Sequence, residues 1–285
     1  MWLVIALLVG GTSWLVNRLT ESAQLAGYTD LDPARIAFEL PAGTEGLPQN
    51  WSAIVATRIV RLGQLSTLDE DGIEAIVAEV EALPFVIEVG EARVDWPDGL
   101  RLSIRLREPV ACICIGEDYL PVASDGVVLP GHRATPPDYG RGILPVIGPL
   151  DEDFRDARPG DVLSQKRHLD ALSVAVSMRK HLSRGDLDLL GPLVIDASLA
   201  QAVAIDQPGT RLFLEGGRTV FFGRPPSYGA PGELPVQKKW THLMEAVDGL
   251  QCDVAAADEA GEWWDWDLVD IRWDIPTVRP RIGYR

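Results

Sequence analysis

The chain has 285 residues, 46% of them hydrophobic and 24% charged, which is enough apolar material for one large core or two modest ones. Its formal net charge of −16 at pH 7 argues against nucleic acid as a partner, because binding to phosphates requires clustered Lys and Arg. The same charge argues against adsorption to an anionic membrane surface.

Residues 1–19 are predicted to be a single transmembrane anchor, followed by a polar linker at 20–31. Trp2–Val16 is uncharged, and Arg18 follows it. A helix of this length spans about 22 Å, less than the ~30 Å hydrocarbon core of a bilayer, and interfacial Trp residues would extend the match. The few residues before the apolar run indicate a shortened start. A cleaved signal peptide is the alternative, although no basic segment precedes the run.

A first strand and helix are predicted after the linker. Apolar residues alternate in ARIAFEL, which predicts a strand at 36–40. A loop rich in Gly and Pro follows at 41–48. Asn50 is then a candidate N-cap for a helix. The apolar positions of that helix are Trp51, Ile54, Val55, Ile59 and Leu62.

The second helix has the clearest local signal. Thr67 and Glu70 have the spacing of a capping box, in which each side chain bonds the backbone N–H at the other position. Acidic residues in the first turn favour the helix dipole, and Pro84 ends the helix. Its apolar stripe comprises Ile73, Ile76, Val77, Val80 and Leu83.

Two strands complete this region. Val86–Asp95 is predicted to be extended, with Gly90 as a candidate bulge. Trp96–Gly99 has turn chemistry, because Pro presets φ and Gly permits positive φ. Along Leu100–Arg107, apolar residues alternate strictly with Arg and Ser, so one face of the strand is apolar and the other basic. Residues 32–114 therefore predict an α+β domain in the order β-α-α-β-β, with both helices on the apolar side of the sheet.

Two helices are predicted in the rest of the chain. Apolar residues at helical spacing predict the first over Leu163–Ser183, with Ser164 as its candidate N-cap and Gly185 beyond its end. The second begins near Val236 and is closed by Gly249. Both have one apolar face and are expected to pack on a sheet.

The strands around these helices predict a curved antiparallel sheet. RLFLEGGRTVFFG, Arg211–Gly223, is typical of a hairpin with Gly216–Gly217 in its turn. LVDIRWDI, Leu268–Ile275, is predicted to be the final strand, and 276–285 a C-terminal tail. The second domain is therefore predicted at 115–275, an antiparallel sheet with two packed helices.

The sequence offers little for catalysis. Its four His residues are scattered, and it contains no H-E-x-x-H, P-loop, G-x-G-x-x-G or G-x-S-x-G motif. Cys112, Cys114 and Cys252 are interpreted as small apolar residues, because neighbours two apart on a strand are poorly placed for a disulfide. We expect no catalytic residue, cofactor, metal or small-molecule substrate. A hydrolase, the third class considered, would depend on a carboxylate such as Asp151 or Glu262.

Several short motifs, in their order, resemble those of the FtsQ/DivIB bacterial cell-division proteins. The resemblance extends from the anchor to about residue 275, and the β-α-α-β-β region is similar to the POTRA domain of that family. The motifs are LPFV at 83–86, VDWPDGLRLSIRLREPVA at 94–111, YLPVASDGVVL at 119–129, LPVIG at 144–148 and LVDIRWDI at 268–275. The motif at 131–142 and the GEWWDWD insert have no counterpart in the family pattern.

This resemblance implies a non-catalytic scaffold of the cell-division machinery. It implies a single-pass protein of the inner membrane, with most of the chain in the periplasm. The implied partners are small bitopic division proteins of the FtsB and FtsL type and the septal peptidoglycan synthase. The alternative is a POTRA-containing envelope secretion or assembly adaptor, which predicts signal cleavage near residues 20–26 and several POTRA repeats.

The last predicted strand is the candidate binding site. Three Trp residues, Trp263, Trp264 and Trp266, lie in an acidic stretch, the composition of an interface hot spot; packing over the sheet edge is the alternative. An edge strand also offers unpaired backbone groups to an extended partner, unless it is buried within the sheet. Together with the matching family strand, this predicts the partner-binding residues Trp266, Leu268, Asp270, Arg272 and Trp273.

Overall fold

The computed structural model describes the backbone of every residue except 1, 26–29, 41–50, 64, 97–98, 141, 155, 202–206, 229–231, 260–261 and 285. Within that backbone, the side chains at 2–11, 24–25, 34, 153, 251–259, 262–264 and 281–284 are not described. The chain divides into two compact units. The first comprises Met1–Thr44 and Gln49–Leu106, and the second Glu45–Pro48 and Arg107–Arg285.

The first unit contains a three-stranded sheet built in the predicted order. Its strand β3 is central, parallel to β1 on one side and antiparallel to β2 on the other. After the N-terminal helix the order is β-α-α-β-β, as predicted. The elements are α1 (Trp2–Leu25), β1 (Ile36–Glu39), α2 (Trp51–Val60), α3 (Glu70–Glu81), β2 (Val86–Asp95) and β3 (Gly99–Leu106).

Helix α1 covers the segment predicted to be an anchor and continues to Leu25. Trp14 is exposed, and the guanidinium of Arg18 lies 5.3 Å from the centroid of its ring. Within the described residues, no helix combines the length and the hydropathy that crossing a membrane requires.

The apolar face of β3 forms the centre of this unit. Its four alternate residues Leu100, Leu102, Ile104 and Leu106 are at most 3% exposed, which confirms the predicted alternation. The irregularity predicted at Gly90 is also present, because the pairing of β2 with β3 shifts register between Val89 and Ala92. Buried residues of both helices complete the core: Val55, Ile59, Ile76 and Val80.

The basic face of β3 is paired with carboxylates of its own sheet. Arg101 binds Glu39 of β1 at 3.0 Å and Asp95 of β2 at 2.9 Å, and Arg105 binds Glu88 of β2 at 2.8 Å. All three pairs are exposed, so each contributes at most about 1 kcal/mol. They neutralise the basic stripe within the unit itself.

Helix α3 begins two residues later than the predicted capping box requires. Its N-cap is Asp69, whose side chain makes no capping bond, so Thr67 is not the N-cap residue that the predicted box requires. The reason is a turn before the helix, in which Asp69 N donates to Ser66 O at 3.1 Å. The Ser66 hydroxyl accepts from Leu68 N at 3.3 Å and stabilises that turn. Asn50, the predicted cap of α2, lies outside the described residues.

The second unit is an eight-stranded sheet with three α-helices. Its strand order is β11-β10-β9-β8-β7-β6-β4-β5. The elements are β4 (Pro109–Ile115), β5 (Asp118–Ala123), β6 (Val146–Gly148), α4 (Lys166–His181), α5 (Arg184–Leu190), β7 (Leu193–Asp196), β8 (Thr210–Leu214), β9 (Arg218–Gly223), α6 (Val236–Glu259), β10 (Glu262–Asp270) and β11 (Thr277–Tyr284).

This sheet is mixed, so the prediction of a purely antiparallel sheet is wrong. Strand β6 runs parallel to β4 and β7, and β10 runs parallel to β9. Parallel neighbours need a crossover connection: α4 with α5 connects β6 to β7, α6 connects β9 to β10, and β5 with the segment after it connects β4 to β6. Residues 109–115 pair with β5 and β6, so part of the segment assigned to the first domain lies in the second unit. Helix α6 also runs past Gly249, its predicted end.

The core of the second unit lies between the sheet and its helices. Trp240 of α6 and Phe222 of β9 are fully buried, with ring centroids 4.9 Å apart. The indole Nε1 of Trp240 donates to the hydroxyl of Ser177 on α4 at 3.0 Å. This bond satisfies the polar atom of a buried Trp and fixes α6 against α4.

Helix α5 carries the capping box that the sequence analysis missed. Ser183 Oγ accepts from Asp186 N at 3.2 Å, and Asp186 Oδ2 accepts from Ser183 N at 2.7 Å. Gly185, predicted to lie beyond a helix end, is inside α5. The N-cap of α4 is Gln165, and not Ser164.

Ser183→Ala is expected to lower the free energy of unfolding by about 1 kcal/mol, because it leaves an N-terminal backbone N–H of α5 without its acceptor. Ser164→Ala is the matched control and should leave the stability unchanged. Both are measured by urea denaturation of the full chain. Equal effects of the two substitutions would contradict the assigned cap.

Candidate functional site

The strand predicted to bind a partner is not at the edge of the sheet. Strand β10 lies between β9 and β11, and its residue Leu268 is paired with Thr219 on one side and Arg279 on the other. The segment 276–285, predicted to be a tail, contains β11. The prediction that β10 forms the edge is therefore wrong, and the alternative of a strand within the sheet holds.

Two of the predicted contact residues, Asp270 and Arg272, bind each other. Arg272 Nε donates to Asp270 Oδ1 at 2.9 Å and Nη2 donates to Oδ2 at 2.7 Å, a bidentate pair. Arg272 Nη1 also donates to the carbonyl of Gln207 at 2.6 Å. The side chains are 12% and 9% exposed, and the hydrogen bonds to Asp270 raise the pKa of the Arg272 guanidinium. Both residues are engaged inside the molecule.

A second buried ion pair lies next to the first. Lys239 Nζ donates to Glu233 Oε2 at 2.6 Å, and the same oxygen accepts from Arg224 N at 3.0 Å. Burial lowers the pKa of Lys239, and Glu233 opposes that shift. Leu234 N donates to Arg272 O at 3.0 Å, which ties the segment before α6 to the end of β10. The two pairs together form the buried charge cluster Glu233, Lys239, Asp270 and Arg272.

The three remaining predicted contact residues differ in exposure. Trp266 is 3% exposed and belongs to the core, with the guanidinium of Arg218 5.4 Å from its ring centroid. Leu268 and Trp273 are half-buried, and the guanidinium of Arg272 lies 5.3 Å from the ring centroid of Trp273. Of the five predicted residues, Leu268 and Trp273 retain surface that a partner could contact. The side chains of Trp263 and Trp264 lie outside the described residues.

Strand β11 is the open edge of the eight-stranded sheet. Among the strands that the structure describes, its neighbour is β10 alone. At the opposite end, the outer side of β5 is bonded to the segment that follows it. Tyr119 N donates to Arg133 O at 2.7 Å, and Leu129 N donates to Pro121 O at 2.7 Å. Within the eight-stranded sheet, the unpaired backbone groups available to a partner therefore lie along β11.

The described, exposed side chains of β11 include a paired arginine and a proline. Arg279 is exposed and binds Asp267 of β10 at 2.8 Å. Pro280 is exposed and has no backbone N–H. Proline within a sheet is confined to edge strands, bulges or strand starts, which agrees with the position of β11.

The described residues contain no cluster suited to a metal ion. Asp151, named as a candidate hydrolase carboxylate, accepts a hydrogen bond from Arg167 Nε at 2.9 Å, and the side chain of Glu262 is outside the described residues. Cys112 is buried and free, Cys114 is half-buried and free, and burial raises the pKa of the Cys112 thiol. The interpretation of these two cysteines as small, unbridged residues is confirmed. The side chain of Cys252 is not described.

Comparison with known proteins supports the motif-based resemblance. No family model matches the chain. The chain is 26% identical over 270 residues to the cell division protein FtsQ of Streptomyces coelicolor, and the alignment covers 89% of this chain and 82% of that protein. The resemblance to the FtsQ/DivIB proteins is thereby confirmed.

Proposed function

We propose that this chain is a non-catalytic scaffold of the bacterial cell-division machinery and that it binds the extended segment of a partner along β11. The similarity to a cell division protein FtsQ over most of the chain supports the cellular role. The observation that carries the binding mode is the open edge at β11, since β5 at the other end is covered by the segment that follows it. A strand added there gains backbone hydrogen bonds along its length.

The proposed partners are small bitopic division proteins of the FtsB and FtsL type, and through them the septal peptidoglycan synthase. In this proposal the protein is held at the inner membrane, with both compact units on the periplasmic side. Confinement of several proteins to one membrane raises their effective concentration, so a modest edge contact is sufficient to hold them together. Leu268 on β10 and Trp273 in the connection from β10 to β11, the half-buried members of the predicted set, contribute specificity.

A proline substitution on β11 tests this binding mode. Pro280 occupies a position at which a missing N–H is tolerated on an edge strand, and Val278 lies two residues earlier with the same backbone orientation. Val278→Pro is expected to lower recovery of the bitopic division proteins from membranes by roughly tenfold, because one outward donor is lost and the added strand is displaced. The measurement is co-purification with the full chain.

Two controls separate edge pairing from side-chain loss and from unfolding. Val278→Ala removes most of the same side chain but keeps the N–H, so partner recovery should stay at the level of the unmodified chain. Thr277→Pro removes an N–H directed at β10 and should lower the melting temperature. Equal recovery of the division proteins with Val278→Pro and Val278→Ala would exclude β11 as the binding edge. If the folded, unmodified chain recovered no division protein, the proposed scaffold function would be overturned.

A further inference from the structure

A groove of about 530 Å³ runs along the outer surface of α4. From Leu169 to His181 it follows the helix for about 18 Å, or roughly three turns. Besides residues of α4, it is lined by Ser124 and Asp125 after β5, by Pro226 and Ser227 after β9, and by Val236 at the start of α6.

Helix α4 has apolar residues on this outer surface as well as on its core side. Its core side is fully buried, with Val174 and Ala175 inaccessible. On the other side, Leu169 is 40% exposed and Val176 is half-buried. Leu169 and Val176 are seven residues apart and therefore lie on one stripe. A surface helix normally presents polar residues to water, so this second apolar stripe is a feature of the groove.

Most of the serine hydroxyls in the groove are already bonded within the protein. Three of the four have a defined acceptor: Ser173 donates to Asp170 O at 2.7 Å, Ser177 to Val174 O at 2.9 Å, and Ser227 to Asp170 Oδ1 at 3.2 Å. These small side chains therefore do not need a polar ligand to satisfy their hydrogen bonding. They also allow another backbone to approach α4 closely, as small residues do where helices pack.

The charge that remains available in the groove is that of Lys180. Its side chain is exposed near the end of α4 and forms no ion pair or hydrogen bond with another described residue. The carboxylate that lines the groove, Asp125, is bound by Arg107 Nε at 2.8 Å. In a chain with a net charge of −16, this end is a local exception that matches a carboxylate.

We propose that this groove binds an amphipathic helix of a partner protein, with the apolar stripe of that helix on Leu169 and Val176 and a carboxylate against Lys180. Such helices place apolar anchors at i, i+3 or i+4, and i+7, which matches three turns of α4. The groove is open along its length, so its occupant needs a polar back that faces water. An amphipathic helix has such a back, whereas the chain of a fatty acid would stay half-exposed.

Two fluorescent synthetic peptides test the proposal with the full chain. Both are four-turn helices with the same leucine stripe; one ends in two Glu residues and the other in two Lys residues. The Glu peptide should bind more tightly by roughly tenfold, measured by fluorescence anisotropy. Lys180→Glu should reverse this preference, an outcome that a merely structural role of Lys180 does not produce. Val176→Asp should weaken both peptides at least about tenfold.

Matched variants define the remaining outcomes. Ile275→Asp alters an exposed apolar residue outside the groove and should leave peptide binding unchanged. Val278→Pro on β11 should also leave it unchanged, so failure of the groove and failure of the proposed edge site are distinguishable. No binding of either peptide, or a preference unaltered by Lys180→Glu, overturns the proposal. Binding of palmitate in place of the Glu peptide overturns it in favour of a lipid.

Discussion

Asp270→Ala is expected to lower the free energy of unfolding by about 3–5 kcal/mol. The substitution leaves the Arg272 guanidinium, 9% exposed, without the carboxylate that accepts two of its hydrogen bonds. An uncompensated buried charge is more costly than the loss of a surface pair, because the protein must either hold a desolvated cation or open to solvate it. The opening would loosen the segment before α6, which is bonded to Arg272 O.

Chemical denaturation of the full chain, followed by tryptophan fluorescence, measures this loss. Arg279→Ala is the matched control, since it breaks an ion pair on the edge strand β11 whose Arg side chain is 65% exposed, and it should cost at most about 1 kcal/mol. Similar losses in the two variants would contradict the buried cluster as described. Any loss of partner binding in Asp270→Ala has to be read against its lower stability.

Gly223→Ala is expected to destabilise the second unit by about 2–5 kcal/mol. The backbone φ of Gly223 is +83°, a region that costs a residue with a Cβ about 1–2 kcal/mol. A Cβ there would lie 2.5 Å from Glu233 Oε2 and 2.9 Å from Arg272 Cγ. Both neighbours belong to the buried charge cluster, so neither can move without weakening an ion pair, and overpacking adds about 1–3 kcal/mol.

Gly216→Ala separates backbone strain from crowding. Its φ is +73°, close to that of Gly223, but a Cβ at Gly216 would meet no atom within 4 Å. Its expected cost is therefore the backbone contribution alone, about 1–2 kcal/mol. The difference between the two melting curves measures the crowding at Gly223. If Gly216→Ala were as destabilising as Gly223→Ala, the close contacts of a Cβ at position 223 would not contribute to the loss of stability.

Local periodicity predicted most of the individual helices and strands. The alternation along Leu100–Leu106, the hairpin around Gly216–Gly217 and the helices α4 and α6 all follow from patterns within about 15 residues. The relative direction of neighbouring strands does not follow from such local patterns. Whether β10 runs parallel or antiparallel to β9 is decided by the 24-residue helix α6 between them, and no pattern inside either strand encodes it.

The candidate site was predicted less well because the exposure of its residues depends on which side chains and strands they pair with. Asp270 and Arg272 are two residues apart, and the sequence marks them as polar without showing that they bind each other. Strand β11 did carry a signal that was missed. In VRPRIGY, Val278, Pro280, Ile282 and Tyr284 alternate with Arg and Gly, which is the period of two typical of a strand. Because the segment also contains proline and arginines, it was predicted to be a tail.

A sheet with one covered end can be extended in one direction only. The outer side of β5 is bonded to its own following segment, so within the eight-stranded sheet growth can occur at β11 alone. Two copies that met through their β11 strands would use up both of these edges and form a closed dimer, with no edge of the eight-stranded sheet left for a third copy. The same covering that leaves β11 for a partner therefore prevents this protein from building an open-ended fibre through its own sheet.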